Sequence, residues 1–226
     1  MFFPNPAILA AGAGVAPVGQ QLFTASGTFI VPEGVTSICA VAIGYGGPAD
    51  LASWGEWFGG AGGGLAYSND IAVTPGESLS VLISFSGTAQ SYLARGGVNI
   101  VRATAGRFDT NTDRPVPGTG THGQVLRTGG GSGYALGAMK ATGGGAAGYT
   151  SDGEGGGEIG VSGRSGRGTS PYGGGPGGAA GTAPTTLAAT YGGGGGEDVG
   201  RGPGCVRIIW GADRAFPNTN TGDITE

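Results

Sequence analysis

The chain has 226 residues and a net charge of −4, and 55 of its residues are glycine, about a quarter against the ~7% of ordinary globular proteins. It is 38% hydrophobic and 12% charged, the reverse of a disordered chain's balance, so an ordered state is expected. Ten of the eleven basic residues are arginine in an acidic total, which gives no support to a basic nucleic-acid-binding face; two cysteines exclude a dense disulfide scaffold, and no apolar run approaches the ~20 residues of a membrane span.

Residues 1–20, "MFFPNPAILAAGAGVAPVGQ", form an arm broken by proline and glycine. It lacks a basic start and is not read as a cleaved leader. With small residues, low charge and no periodic face, it is expected to order on a partner. Residues 21–102 then read as β. "LFTASGTFIV" is strand-like and "PEG" at 32–34 is a turn. In "VTSICAVAIGYGG", Val35, Ser37, Cys39, Val41 and Ile43 alternate with Thr36, Ile38, Ala40 and Ala42. Both sets are largely apolar, which predicts a strand covered on both faces. "LAYSNDIAV-TPGE-SLSVLISFSG" reads as a hairpin about Pro75-Gly76. No segment here has the pattern of an amphipathic helix.

From 103 to 204 glycine blocks at 129–131, 143–145, 155–157, 173–175 and 192–196 alternate with spacers of unequal length, so there is no repeat of fixed period. Extended three-residue-per-turn helices have no internal hydrogen bonds. Without Cβ atoms, they can approach closely enough to bond to one another through N–H and C=O. The spacers would reverse the chain between them. "CVRIIW", 205–210, is a strand without a local partner and is expected to return to the sheet of 21–102. The predicted fold is all-β: a small β-sandwich-like unit with strands in 21–102 and 205–210. The C-terminal strand closes it, and residues 103–204 are an inserted bundle of polyglycine II helices. The domain is bounded as 21–222, preceded by the 1–20 arm and followed by a short 223–226 tail.

Signals for catalysis are poor. His122, the single histidine, sits in a polar segment and is read as a surface residue rather than part of a triad. "GGGAAG" at 143–148 fits G-x-G-x-x-G, but neither follows a strand nor opens a helix. Asp152, Glu154 and Glu158, with the pair Glu197 and Asp198, lack the spacing of a calcium loop and read as solvated charge. Cys39 and Cys205 read as buried free thiols in strands. No catalytic residue, metal or cofactor is expected, and the chain is not read as an enzyme.

Aromatic side chains in glycine-rich surroundings carry more information, because they bring contact area at little entropic cost. Trp54, Trp57 and Phe58 are read as core or intersubunit packing, a possible partner interface. Tyr134, Tyr149, Tyr172 and Tyr191 lie in or beside spacers and either bind a ligand or wall in the glycine layers. With Met139, Lys140, Arg164 and Arg167 they form the expected contact set. The spacer 107–127 is the longest and reads as a variable binding loop.

Three stretches, "FIVPEGVTSICAVAIGYGG", "AGGGLAYSNDIAVTPGESLSVLI" and "GPGCVRIIWGADRAFPNTNTGD", together resemble the glycine-rich domain of tail-fibre and other virion proteins of marine phages, cyanophages included. The likeness covers roughly 21–222, with its motifs in the family's order. The glycine zone is also similar to the small tail-fibre tip adhesins of T-even-like phages. The resemblance implies a virion protein made in the host cytoplasm, with no membrane insertion and no nucleic-acid partner. It implies a layered polyglycine bundle whose loops bind a host cell-surface receptor. Other virion proteins would be met through residues 1–20. The alternative is a capsid or tail decoration protein docked by the same arm.

Overall fold

The computed structural model describes residues 18–53, 55–86, 89–135, 142–156, 191–195 and 200–217. Among these residues there are fifteen strands and no helix. The longer strands are β1 (Gly19–Phe23), β2 (Gly27–Ile30), β3 (Ser37–Ile43), β6 (Leu65–Ala72), β7 (Ser78–Ser84), β8 (Gln90–Arg95), β9 (Val98–Thr104) and β15 (Cys205–Trp210). Shorter ones are β4 (Asp50–Leu51), β5 (Trp57–Phe58), β10 (Arg107–Asp109), β11 (Arg114–Val116), β12 (Gly120–His122), β13 (Val125–Arg127) and β14 (Tyr134–Ala135). All pairings are antiparallel.

Two five-stranded sheets dominate, in the orders β1-β15-β3-β6-β13 and β12-β9-β8-β7-β2. They share an apolar core: Ile38, Ala40, Ile71, Val206 and Ile208 of the first sheet meet Phe29, Leu79, Val81, Leu93 and Val101 of the second. The opposite face of β3, carrying Cys39, Val41 and Ile43, is also buried, with Leu65, Tyr67 and Ile209 beside it. Alternation in "SICAVAI" therefore places one set of side chains in each of two cores, as a strand covered on both faces requires. Val35 precedes the strand, its N–H bonding the Pro32 carbonyl. It packs into the inter-sheet core, not with Cys39 and Val41 as strict alternation predicts.

β15 lies between β1 and β3, with Gly19 opposite Trp210 and Ile43 opposite Cys205. Cys39 faces Ile209 and Cys205 faces Ile43, so the two thiols stand four ladder positions apart. At ~3.4 Å per residue that separation is about 14 Å, beyond disulfide reach. Both are free and buried.

Two local expectations change. "LFTASGTFIV" is broken at Thr24–Ser26 into β1 and β2, which belong to different sheets. The "TPGE" turn likewise does not make a hairpin: β6 and β7 lie in opposite sheets. The turn binds Val31 instead, whose N–H donates to the Glu77 carbonyl while its carbonyl accepts from Gly76. A tight turn fixes a reversal of direction, and here the chain also crosses the core.

The glycine segments are held by backbone hydrogen bonds. Residues 59–64 form the central row. Gly59 and Gly62 donate to Gly133 and Gly130, and Gly60 and Gly63 donate to Gly195 and Gly192. Gly60 and Gly63 accept from Gly144 and Ala147, and Ala61 and Gly64 accept from Gly47 and Gly44. Each of these four neighbours is thus met twice at a spacing of three residues. A β-strand bonds on two sides with a period of two; this row bonds around its circumference with a period of three. A Cβ at Gly59, Gly60 or Gly62 would overlap the carbonyl of Thr142, Gly47 or Gly145. The network draws on 44–47 and 59–64 as well as on blocks beyond 103, so glycine packing is not confined to 103–204. Strands likewise continue past 102, through β10 to β14. The glycines of 44–47 and 59–64 were read through as parts of the strand zone because strands flank them.

Candidate functional site

The expected contact residues fall in three groups. Trp54, Met139, Lys140, Arg164, Arg167 and Tyr172 lie outside the described residues, as do the first seventeen residues of the arm, Glu158 and the Glu197–Asp198 pair. Tyr134 is on β14, whose backbone pairs with Phe58. The third group is buried. Tyr149 is 1% and Tyr191 8% exposed, so neither offers area to a ligand. Tyr149 stacks on Phe216, centroids 5.2 Å apart and planes 11° from parallel, and both rings contact Tyr67. Together they cover the outer face of β3 and β6. Asn69 fixes Phe216 by accepting from its N–H and donating to its carbonyl. Phe58 is buried and Trp57 half-buried, with the Arg114 guanidinium 5.9 Å from the Phe58 ring centre.

The residues weighed for chemistry are also accounted for. Four of the "GGGAAG" N–H groups are spent on carbonyls: Gly144 donates to Gly60, Gly145 to Glu154, Ala147 to Gly63 and Gly148 to Ser151. Asp152 accepts the Thr128 N–H at 2.9 Å, which ties a spacer to the glycine rows. His122 is exposed on β12, its Nδ1 3.2 Å from the Thr121 hydroxyl. Burial pushes both the Cys39 and Cys205 thiols up from their ordinary range, Cys205 the further. A protonated, enclosed thiol is a poor nucleophile.

The candidate site is a cleft of about 810 Å³ beside the end of β9. Its floor is Thr104, Ala105 and Gly106, and the Phe108 and Arg107 side comes from β10. Val116, the ladder partner of Arg107, lines it too, with Pro117, Thr119, Pro48, Asp50, Phe85 and Ala89. Arg102 also lines it. Arg102 and Thr104 lie on the face of β9 away from the core, alternating with the core residues Val101 and Ala103. The spacer 107–127, expected as a variable loop, is instead built from β10 to β13, and it supplies one wall. The Arg201 guanidinium sits 3.0 Å from the Phe85 ring centre, and Tyr45 meets the same ring edge-on at 5.6 Å. Burial lowers the Arg201 pKa from its ordinary value.

Arg102, Arg107, Phe85 and Phe108 were not among the residues singled out from sequence. An arginine in an alternating strand reads as a solvated outer-face residue, and only the folding of 107–119 over that face encloses it. No protein-family model matches the chain, and no curated protein matches it.

Proposed function

We propose that the protein is a phage virion component, a tail-fibre-associated adhesin in which a polyglycine II-type bundle carries the surface that meets the host. The observation that carries this reading is the row 59–64, hydrogen-bonded on four sides at a spacing of three. Such packing is a stiff base made of backbone, on which connecting segments can vary without disturbing the scaffold. The bundle would include 44–47 and 59–64, and β15 would close the unit by seating between β1 and β3.

The three stretches that carry the resemblance also support it. Their strands β3, β6 and β15 lie together in one sheet. Their glycine ends bond to one another: Gly44 to Gly64, Gly46 to Gly202 and Gly47 to Ala61. Motifs far apart in sequence thus form one structural unit. Residues 1–20 would attach the protein to its virion neighbours, although Gly19 and Gln20 already belong to β1. No catalytic activity forms part of the proposal. The second reading, a capsid or tail decoration protein, is favoured by the burial of Tyr149 and Tyr191, which removes two expected contacts.

The test is competition and placement. Purified protein added to host cells should block phage adsorption, and labelled antibody should mark the fibre tips of intact particles. Label on the capsid or tail tube, with no competition, would replace the adhesin reading by the decoration reading.

A further inference from the structure

We propose that the cleft beside β9 binds an acidic carbohydrate, a run of uronic acids, with the Arg102 guanidinium taking a carboxylate. The class of ligand follows from what lines the cleft and from what is already occupied. In a chain of net charge −4, the lining carries two arginines and one aspartate. One oxygen of that aspartate, Asp50, already accepts the Leu51 N–H at 2.9 Å.

Other arginines are committed within the protein: Arg95 to Glu77, Arg114 to the Phe58 face, Arg207 and Arg214 to Gln20. The Arg102 Nε makes no hydrogen bond within the protein, a condition it shares with the Arg127 Nε, but of the two only Arg102 lines the cleft. A guanidinium that lines a cleft and makes no ion pair among the described residues is a ready partner for a carboxylate. A complementary acceptor stands close by in the ladder. Gln90 faces Thr104 across β8 and β9, and its Oε1 is also buried without a donor.

The anion is a carboxylate rather than a phosphate because the floor has no free N–H groups to cradle one. Thr104, Ala105 and Gly106 donate theirs to Thr119, Ala89 and Tyr45, so these three residues form no anion-binding nest. A planar guanidinium suits a planar carboxylate. The walls then specify a sugar. Phe108 is half-buried, Val116 and Pro117 line the cleft with it, and the apolar C–H face of a pyranose packs on such surfaces. The Thr104 hydroxyl accepts the Thr119 N–H at 2.9 Å and stands 3.5 Å from the Thr119 hydroxyl, and both threonines line the cleft. The volume falls in the ~300–1,000 Å³ range of small-ligand sites, room for a short stretch of sugar units.

Only the source of the glycan, a host surface, rests on the adhesin reading; binding itself is a property of the isolated protein. The experiment is calorimetric titration of the full chain with trigalacturonate, oligomannuronate and oligoglucuronate, each beside its neutral methyl ester. At least one acid should bind, its ester roughly tenfold or more weaker. Arg102→Gln should lose the acid preference, Arg102→Lys should retain part of it, and Phe108→Ala should weaken acid and ester alike. Unchanged melting temperatures establish that the variants fold; a variant that does not is replaced by Arg107→Gln, which is exposed and should reduce the acid preference. Equal binding of acid and ester, no binding of any oligouronate, or tighter binding of a single-stranded oligonucleotide would overturn the proposal. Binding of oligouronate by a protein that fails to block adsorption would retain the cleft and remove the adhesin.

Discussion

Tyr149 shows how one residue type can serve opposite ends. A tyrosine beside glycines suits a recognition loop, yet here its ring is sealed between Tyr67 and Phe216. It brings the spacer after the 142–147 row onto the outer face of the first sheet. Removing a buried aromatic ring forfeits its transfer energy and leaves a cavity, at ~3–5 kcal/mol for comparable rings. Tyr149→Ala should therefore lower the melting temperature sharply, measured by calorimetry or circular dichroism, while the cleft's ligand preference stays intact in the folded fraction. A melting curve like that of the parent would mean that the ring is not part of the core.

At the level of elements, the glycine rows place backbone where side chains usually separate neighbours. Gly60 is in the centre of the row, and a side chain there would meet the Gly47 carbonyl. Overpacking of this kind costs ~1–3 kcal/mol in cores that can adjust, and backbone adjusts less readily than side chains do. Gly60→Val should destabilise at least that much in urea denaturation, whereas Gly55→Ala, with nothing within 4 Å of the added Cβ, should cost only what its positive φ imposes. Equal effects would argue against close packing at Gly60. The strands were readable because alternation in "SICAVAI" and "CVRIIW" encodes burial directly. The partners were less so: "TPGE" specifies a turn, but whether it joins neighbours or crosses a core depends on Val31, more than forty residues before it. The cleft was not legible, since Arg102 gains its meaning only when 107–119 fold across it.

For the whole molecule, β15 is decisive. It is an interior strand of the first sheet, and it contributes Val206 and Ile208 to one core and Cys205 and Ile209 to the other. A chain ending at residue 203 would leave β1 without its ladder partner and open both cores. Such a truncation should fail to show a cooperative melt, in contrast to the full chain. A 1–203 protein melting like its parent would mean that the strands of 21–102 stand alone.

The same arrangement governs how the chain can assemble as it is made. Gly19 and Trp210 are ladder partners, so one of the first strands to leave the ribosome pairs only after nearly two hundred more residues have followed. Contacts of such long separation are slow to form. During that interval the edge of β3 is an open template for any passing strand, the condition under which chains exchange or aggregate. The glycine rows between would have to be threaded into place before the last strand arrives or be drawn in by it. Production of the protein is thus a problem of timing, in which β15 releases β1 from waiting.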